Sequence, residues 1–202
     1  MKKIPSLFEW DFENHCITTK VTPGCEWVIK GEGVATEKFD GTACMVRNGK
    51  LFKRYDCKRG RTPPYNFEPC QDPDPITGHW PGWVPIGDGP EDRWHWEALP
   101  QFDGLQDGTY ELIGPKINGN PYGFDHPHIL SRHGLIPINN NLFQRTFEGI
   151  RDFLKGASIE GIVFHRMNGD MCKIKRRDFG FEWPIKKQAM NNSEREIVFH
   201  DS

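Results

Sequence analysis

The clearest pattern of apolar and polar positions in this chain predicts two β-hairpins. In the first hairpin, Asn48-Gly49 separates two strand-like stretches, residues 43–46 and residues 51–55. Asn-Gly is the dipeptide that a two-residue type I′ turn favours, and such a turn fixes which residues face each other. The predicted register pairs Ala43 with Arg54. Arg54 is therefore expected near the residues that precede the hairpin, and a solvated charge on an edge strand is the alternative.

The second hairpin, in which Asn168-Gly169 lies between two further strand-like stretches, carries more charge. A two-residue turn there predicts three cross-strand pairs: Phe164 with Lys173, Ile162 with Lys175, and Glu160 with Arg177. Because side chains alternate between the two faces of a strand, Glu160, Lys173 and Lys175 are predicted to point the same way. The opposite face is predicted to be core and carries Val163, Cys172 and Ile174.

Shorter signals predict the remaining elements. Strands are expected at residues 27–29 and 109–114, and helices at residues 91–99 and 141–156. Residues 61–100 are so rich in Pro, Gly, Asp and Trp that no central strand is predicted there. Long loops of this kind are often functional, and the aromatic residues could stack on nucleic-acid bases or simply buttress the sheet.

Composition excludes several classes of protein. A chain of 202 residues is long enough for one well-cored domain or two small ones, and its formal net charge of -2 argues against coating nucleic acid through bulk charge. No apolar segment approaches the length of a transmembrane helix and no signal peptide follows Met1, so we expect a cytoplasmic protein without membrane contact. The six cysteines show no C-x-x-C pair, and we expect them to be reduced thiols.

Residues 37–41, Glu-Lys-Phe-Asp-Gly, have the form of a loop that presents a nucleophilic lysine; we call them the nucleophile loop. Gly41 lets the backbone come close to a phosphate. Lys38 is a poor nucleophile at an ordinary pKa of about 10.4, so burial or neighbouring cations must lower that pKa. Lys173 and Lys175 would supply those cations and hold the α-phosphate of a nucleotide, and Glu160 would bind Mg²⁺. Taken alone, the motif describes an exposed turn equally well.

Glu111 lies within an otherwise apolar strand, where a carboxylate is costly unless a polar group meets it. A pair of ribose hydroxyls would satisfy the Glu111 carboxylate, and a salt bridge to an arginine is the alternative.

The histidine-rich segment that follows does not have the spacing of a zinc site. Non-ligand roles are therefore expected for Asp125, His126, His128 and His133.

Taken in order along the chain, these residues resemble the motifs of the covalent nucleotidyltransferase superfamily, which contains polynucleotide ligases and mRNA capping enzymes. The matching set is Lys38-x-Asp40-Gly41, Arg54, Glu111, residues 160–164 and Lys173-Ile174-Lys175. The chain is most similar to ATP-dependent RNA ligases. Within these it is most similar to the group that includes the vertebrate 5′-to-3′ RNA ligase, through residues 31–38 and 72–79. Each motif is unspecific alone, and the ordered set is specific.

The resemblance implies an activity and a role for each residue. Lys38 would form a lysyl-AMP from ATP, AMP would pass to an RNA 5′-phosphate, and a 3′-hydroxyl would displace it to join the strands. Glu160 would serve Mg²⁺ or Mn²⁺. The implied nucleotide-binding residues are Glu37, Asp40, Gly41, Arg54, Glu111, His128, Lys173 and Lys175. Within that set Arg54 and Glu111 would contact the nucleotide sugar or the RNA end, and His128 or Phe124 would stack on adenine.

The implied fold is α+β, the nucleotidyltransferase (adenylation-domain) fold of antiparallel sheets with flanking helices and a nucleotide in the central cleft. Residues 1–190 would form one adenylation domain and residues 191–202 a polar tail, with no OB-fold domain. Ala43 stands where DNA ligases and capping enzymes carry an arginine, which favours an RNA ligase. The alternatives are a DNA ligase, a guanylyltransferase, and a non-catalytic RNA-binding protein on a ligase fold.

Overall fold

A computed structural model describes residues 2–99 and 105–185 of the chain. Within these residues the helices are α1 (Glu26–Ile29), α2 (Arg93–Ala98) and α3 (Phe147–Gly156). The strands are β1 (Phe8–Asp11), β2 (Cys16–Val21), β3 (Val34–Lys38), β4 (Thr42–Arg47), β5 (Lys50–Cys57), β6 (Glu68–Pro69), β7 (Trp80–Pro85), β8 (Gly108–Ile113), β9 (Ile129–Arg132), β10 (Gly161–His165) and β11 (Met171–Lys175). None of the described helices is long and apolar enough to cross a membrane.

Two antiparallel sheets organise the described residues. One has three strands in the order β11-β10-β3, and the other has six strands in the order β6-β7-β5-β4-β8-β9. β1 and β2 form a separate hairpin. The mixed α and β content and the antiparallel sheets agree with the predicted class. The predicted end of the domain at residue 190 and the tail at residues 191–202 lie outside the described residues.

The first hairpin has the predicted register. Cys44 lies opposite Lys53, and Asn48 and Gly49 between the strands have φ values of 51° and 71°. Positive φ at both central residues is the signature of a type I′ turn. Continued by one residue, this register places Arg54 opposite Ala43, which follows the nucleophile loop.

The predicted register of the second hairpin is wrong by one residue. Lys173 lies opposite Val163, and Lys175 lies opposite Gly161. The loop is wider than predicted, because Arg166 donates its backbone N–H to the Asp170 carbonyl at 2.9 Å and leaves three residues between them. Val163 therefore shares the face of the lysines, whereas the predicted core positions Cys172 and Ile174 are buried.

Glu160 also differs from its predicted pairing with Arg177. It lies just before β10, and its backbone carbonyl accepts a hydrogen bond from the Arg176 N–H at 2.8 Å. The Arg177 guanidinium instead donates to the Trp183 carbonyl oxygen at 2.6 Å. The Glu160 side chain is thus outside the alternation of the strand and can turn toward the lysine face.

Three predicted elements need correction. Residues 27–29 belong to the helix α1, not to a strand. The region predicted to lack a central strand contains β7, which pairs with both β5 and β6. Its prolines lie near the two ends, and β6 is only two residues long, so the missing N–H groups interrupt few ladder bonds. The helix predicted from residue 141 begins at Phe147, where the Thr146 hydroxyl accepts from the Gly149 N–H.

The three-stranded sheet is held on its core face by α3 and the N-terminal segment. Ile150 and Leu154 of α3 are fully buried there with Phe164 of β10. The same core contains a disulfide between Cys25 and Cys172, whose Cα atoms are 6.2 Å apart. The expectation of six reduced cysteines is therefore wrong for this pair. Their separation of 147 residues gave no spacing signal that could have predicted it.

Candidate functional site

Three predicted lysines lie on one face of the three-stranded sheet. Gly161 of β10 lies opposite Lys38 of β3 on one side and opposite Lys175 of β11 on the other. Residues directly opposite each other in neighbouring strands point to the same face. Lys38 and Lys175 therefore flank a position that has no side chain, and Lys173 shares their face because it is two residues from Lys175. We call Lys38, Lys173 and Lys175 the lysine cluster.

Only glycine fits at position 161. A Cβ atom there would overlap the Ile174 carbonyl oxygen and lie 2.9 Å from the Lys175 Cα. Both neighbours are backbone atoms that cannot move without displacing β11. The close approach of these strands thus brings Lys175 toward Lys38 across Gly161.

Glu160 closes one end of the lysine cluster. Its Oε2 lies 2.5 Å from Lys38 Nζ, and the two side chains are 12% and 22% exposed. The Lys38 ammonium also donates to the Phe39 carbonyl oxygen at 3.2 Å. Burial raises the pKa of Glu160, and the Lys38 charge offsets part of that rise. The carboxylate and the amine therefore balance each other's charge in a partly desolvated place.

Lys173 is the member of the cluster with a displaced titration. Its pKa is lowered from 10.5 to about 8, mainly by burial and in addition by the charges of Lys38 and Lys175. The charges of Lys38 and Lys175 thus act on Lys173. The corresponding expectation for Lys38 itself stays a prediction.

The nucleophile loop is held by Asp40. The Asp40 carboxylate accepts hydrogen bonds from Asn118 Nδ2 and Trp183 Nε1, both at 2.8 Å. Its backbone N–H donates to the Tyr122 hydroxyl at 2.5 Å, and burial raises the pKa of that phenol. Both carboxylate oxygens are thus engaged by the protein, so Asp40 orients the loop through its side chain. Sequence reasoning missed these three partners; Asn118 gave only a turn signal, and the other two gave none.

Gly41 and Glu111 connect the nucleophile loop to the six-stranded sheet. The Gly41 N–H donates to Glu111 Oε1 at 3.2 Å, and a Cβ on Gly41 would lie 2.7 Å from Glu111 Cγ. The close contact that requires glycine is therefore with β8. Glu111 Oε2 lies 2.7 Å from His133 Nε2, so the polar partner of this carboxylate is a histidine and not an arginine. A contact with ribose hydroxyls stays a prediction.

Arg54 and His128 lie in different surroundings. Arg54 of β5 lies opposite Trp83 of β7, with its guanidinium carbon 5.1 Å from the centre of the indole ring. His128 is 2% exposed, and its ring stacks on Trp94 with centroids 4.5 Å apart. A side chain this enclosed cannot stack on a base without rearrangement, so the structure argues against His128 as the adenine platform. The other candidate, Phe124, stacks on Tyr122 beside Asp40.

Glu37 lies on the opposite face of β3 from Lys38, because neighbouring residues of a strand alternate. It lies opposite Ile162, and burial raises the pKa of its carboxyl to about 7. A contact of Glu37 with a nucleotide from this position would be made through its backbone. Within residues 2–99 and 105–185, no group of three or more His, Cys, Asp or Glu side chains could hold a metal ion. Glu160 pairs with Lys38 of the lysine cluster, and the Asp178 carboxylate lies 3.6 Å from Lys175 Nζ.

The arrangement of these side chains defines a class of site. Three amines beside two carboxylates, on a face partly withdrawn from water, are suited to binding anionic phosphate groups and to nucleophilic attack by one of the amines.

Comparison with known proteins places this chain in a family. The family model described as RNA ligase 1 matches residues 90–201, which include Glu111, Glu160, Lys173 and Lys175 but not Lys38. RNA ligase 1 of Rattus norvegicus is 28% identical, over 79% of this chain and 71% of its own length. RNA ligase 1 of Danio rerio is 29% identical, over 82% of this chain and 72% of its own length. The chain belongs to the RNA ligase 1 family.

Proposed function

We propose that this protein is an ATP-dependent RNA ligase that joins 5′-phosphate and 3′-hydroxyl ends through a lysyl-AMP intermediate. The observation that carries the proposal is the lysine cluster, in which Lys38 contacts Glu160 and shares a face with Lys173 and Lys175. Membership of the RNA ligase 1 family supports it, as the relatives' names state an RNA ligase.

In the first step Lys38 Nζ attacks the α-phosphorus of ATP. A nitrogen–phosphorus bond forms, the bond to the bridging oxygen breaks, and pyrophosphate leaves. The ammonium must first lose a proton and its contact with Glu160. Glu160 Oε2 lies 2.5 Å from Nζ and holds the ammonium until then, and the proton can pass to solvent because the Lys38 side chain is 22% exposed.

Lys173 and Lys175 act on the phosphates. Their ammonium groups share the face of Lys38, so they can bind the non-bridging oxygens and stabilise the negative charge that develops there. With a pKa of about 8, Lys173 is mostly protonated at neutral pH and can serve as such a cation. The stabilisation is strong because the side chains are partly removed from water.

The residues present fit a Mg²⁺ ion that is shared with the substrate. Mg²⁺ is commonly held by one or two carboxylates together with phosphate oxygens and water, and Glu160 supplies one carboxylate at the lysine cluster. The described residues offer no all-protein cage, which agrees with a metal that binds with the nucleotide. Mg²⁺ bound there, or Mn²⁺ in its place, would neutralise charge on the phosphates and on the leaving group.

The later steps use the same site. An RNA 5′-phosphate oxygen attacks the lysyl-AMP, which frees Lys38 and leaves AMP joined to the RNA through a pyrophosphate bond. A 3′-hydroxyl oxygen then attacks the RNA phosphorus, a phosphodiester bond forms, and AMP leaves. Glu111 and Arg54 are the proposed contacts for the nucleotide sugar or the RNA end. Glu111 reaches the nucleophile loop through Gly41, and Arg54 lies on the neighbouring part of the sheet.

Intact-mass measurement of the protein after incubation with ATP and Mg²⁺ tests the first step. We expect one added AMP on the wild type and none on Lys38→Ala. Lys38→Ala should remain folded, since this partly exposed lysine contributes little to the core. AMP on Lys38→Ala would refute the nucleophile assignment. A mass increase with GTP in place of ATP would favour a guanylyltransferase, and joining of DNA ends in preference to RNA ends would favour a DNA ligase.

A further inference from the structure

A strongly basic turn follows β5 and has no role in the chemistry described above. Residues 58–61 read Lys-Arg-Gly-Arg, and all four are exposed. The turn is closed by a hydrogen bond from the Arg61 N–H to the Lys58 carbonyl at 3.0 Å, with Gly60 at a φ of 76°. We call residues 58–61 the basic turn. It contains three cations, and no acidic residue occurs between positions 58 and 67.

The cations of the basic turn are available for a ligand. None of the ion pairs formed among residues 2–99 and 105–185 involves Lys58, Arg59 or Arg61. The nearest acid along the chain, Asp56, is paired with His79 at 2.7 Å. The turn itself is anchored, because the Cys57 thiol donates to the Arg61 carbonyl at 3.2 Å and the aliphatic stem of Arg59 packs beside Gly78. An ordered turn with unpaired charges is a built anionic-ligand surface.

The basic turn lies at the edge of the sheet that carries the nucleophile loop. β4 begins at Thr42, directly after that loop, and β5 ends at Cys57, directly before the basic turn. β4 and β5 are antiparallel neighbours, so the start of one and the end of the other share an edge. Neighbouring strands are only about 4.8 Å apart. A polyanion that reaches Lys38 from this edge would therefore pass the basic turn.

An exposed aromatic side chain follows the same segment. Tyr65 is fully exposed, after Pro63-Pro64. It lines a surface cavity of about 530 Å³ together with Lys50, Arg47 and Glu68, near the end of β5 that is away from the basic turn, and Arg47 is paired with Glu68 at 2.7 Å. Aromatic rings beside cations are the usual elements of a surface for single-stranded nucleic acid, because bases stack on the rings and phosphates contact the cations.

We propose that the basic turn forms a binding surface for a single-stranded RNA segment next to the end that is joined, and that Tyr65 contacts a nucleotide farther along the same strand. The inference rests on the proposed ligase function. Lys58, Arg59 and Arg61 contact backbone phosphates, and Tyr65 stacks on a base. This surface has no part in the attack of Lys38 on ATP, so binding of RNA and addition of AMP are separable properties.

The test compares two triple variants with the wild type. Lys58→Ala, Arg59→Ala and Arg61→Ala together remove the basic turn, and Lys20→Ala, Lys30→Ala and Lys155→Ala together remove the same charge from exposed positions elsewhere. Fluorescence anisotropy measures binding of a labelled, 5′-phosphorylated single-stranded RNA across salt concentrations. Thermal melting verifies that each variant is folded, and intact mass after ATP and Mg²⁺ reports addition of AMP.

We expect the basic-turn variant to bind RNA more weakly, with a slope of log affinity against log salt that is smaller by about 2, since each phosphate contact on a single strand contributes about 0.7. The control variant should keep the wild-type slope, and both should accept AMP as the wild type does. Tyr65→Ala should weaken binding by about fivefold or more with the slope unchanged, because stacking does not depend on salt in this way.

Wild-type affinity and slope in the basic-turn variant would overturn the inference, as would an equal loss in the control variant. Either result leaves the proposed function standing if the wild type accepts AMP. Failure of the wild type to accept AMP would instead count against the proposed function, and the comparison of RNA binding would still decide the role of the surface.

Discussion

Lys173 allows the electrostatics of the site to be measured through the stability of the fold. In the folded protein the pKa of Lys173 is about 8, against an ordinary value of 10.5. The folded state therefore holds this proton less tightly than the unfolded state does. The free energy of unfolding therefore rises with pH between about 8 and 10.5. Below pH 8 Lys173 is charged in both states, and the cost of its charge in the folded state lowers the free energy of unfolding by a constant amount.

The size of the effect follows from the two pKa values. A fall from 10.5 to about 8 corresponds to about 3 kcal/mol at neutral pH. Because the side chain is partly exposed, solvent screens the interaction, and we expect about 1–3 kcal/mol. Lys173→Met removes the charge and keeps most of the stem. It should therefore stabilise the protein by about that amount at pH 7, and the gain should fade as the pH approaches 10.5.

Urea unfolding of the wild type and Lys173→Met at several pH values between 7 and 10.5 measures this difference. Lys155→Met is the matched control, because Lys155 is an exposed lysine of α3, and its stability should differ little from the wild type at every pH. Lys173→Met should also lose most of its addition of AMP. If Lys173→Met were no more stable than the wild type at pH 7, or if its gain did not depend on pH, the pKa of Lys173 would not be lowered in the folded protein.

Two further predictions concern backbone fit and loop positioning. Gly161→Ala should lower the free energy of unfolding by about 1–3 kcal/mol in urea titrations, because the added Cβ meets backbone atoms of β11. Gly156→Ala is the control and should be neutral or slightly stabilising, because a Cβ at that position meets nothing within 4 Å. His133→Ala should slow addition of AMP about tenfold by freeing the Glu111 carboxylate, and His133→Gln should restore most of the rate. Equal destabilisation by both alanines, or equal rates for both His133 variants, would contradict these arguments.

The two hairpins show how far local sequence determines register. Asn48-Gly49 forms the two-residue turn that its dipeptide predicts, whereas Asn168-Gly169 belongs to a loop of three residues. The same dipeptide suits both loops. Which loop forms depends on the register of the strands, and that register is set by the residues that face the core. The predicted grouping of Lys173 with Lys175 survived the slip, because residues on one strand move together.

The pairing that assembles the site could not be predicted from local patterns. Lys38 lies opposite Gly161, and no periodicity relates residues so far apart in the chain. The resemblance to nucleotidyltransferases named both segments, but the geometry that joins them comes from the sheet. His128, one candidate for stacking on adenine, is packed on Trp94, a contact that no local pattern indicates. The His128 ring is covered by Trp94 of α2, which lies far from it in the chain and meets it only when the protein folds.

The charges of the site lower the stability of the free protein and favour the binding of an anionic ligand. Lys38, Lys173 and Lys175 repel one another on one face, and two nearby carboxylates, Glu160 and Asp178, balance only part of their charge. A ligand that binds the folded state alone stabilises it, and an anion between these ammonium groups relieves the repulsion as it binds. The charges that lower the stability of the free protein are thus the charges that would hold a triphosphate. Stability of the free protein alone does not favour a lysine cluster, since the variant with methionine at position 173 is expected to be more stable.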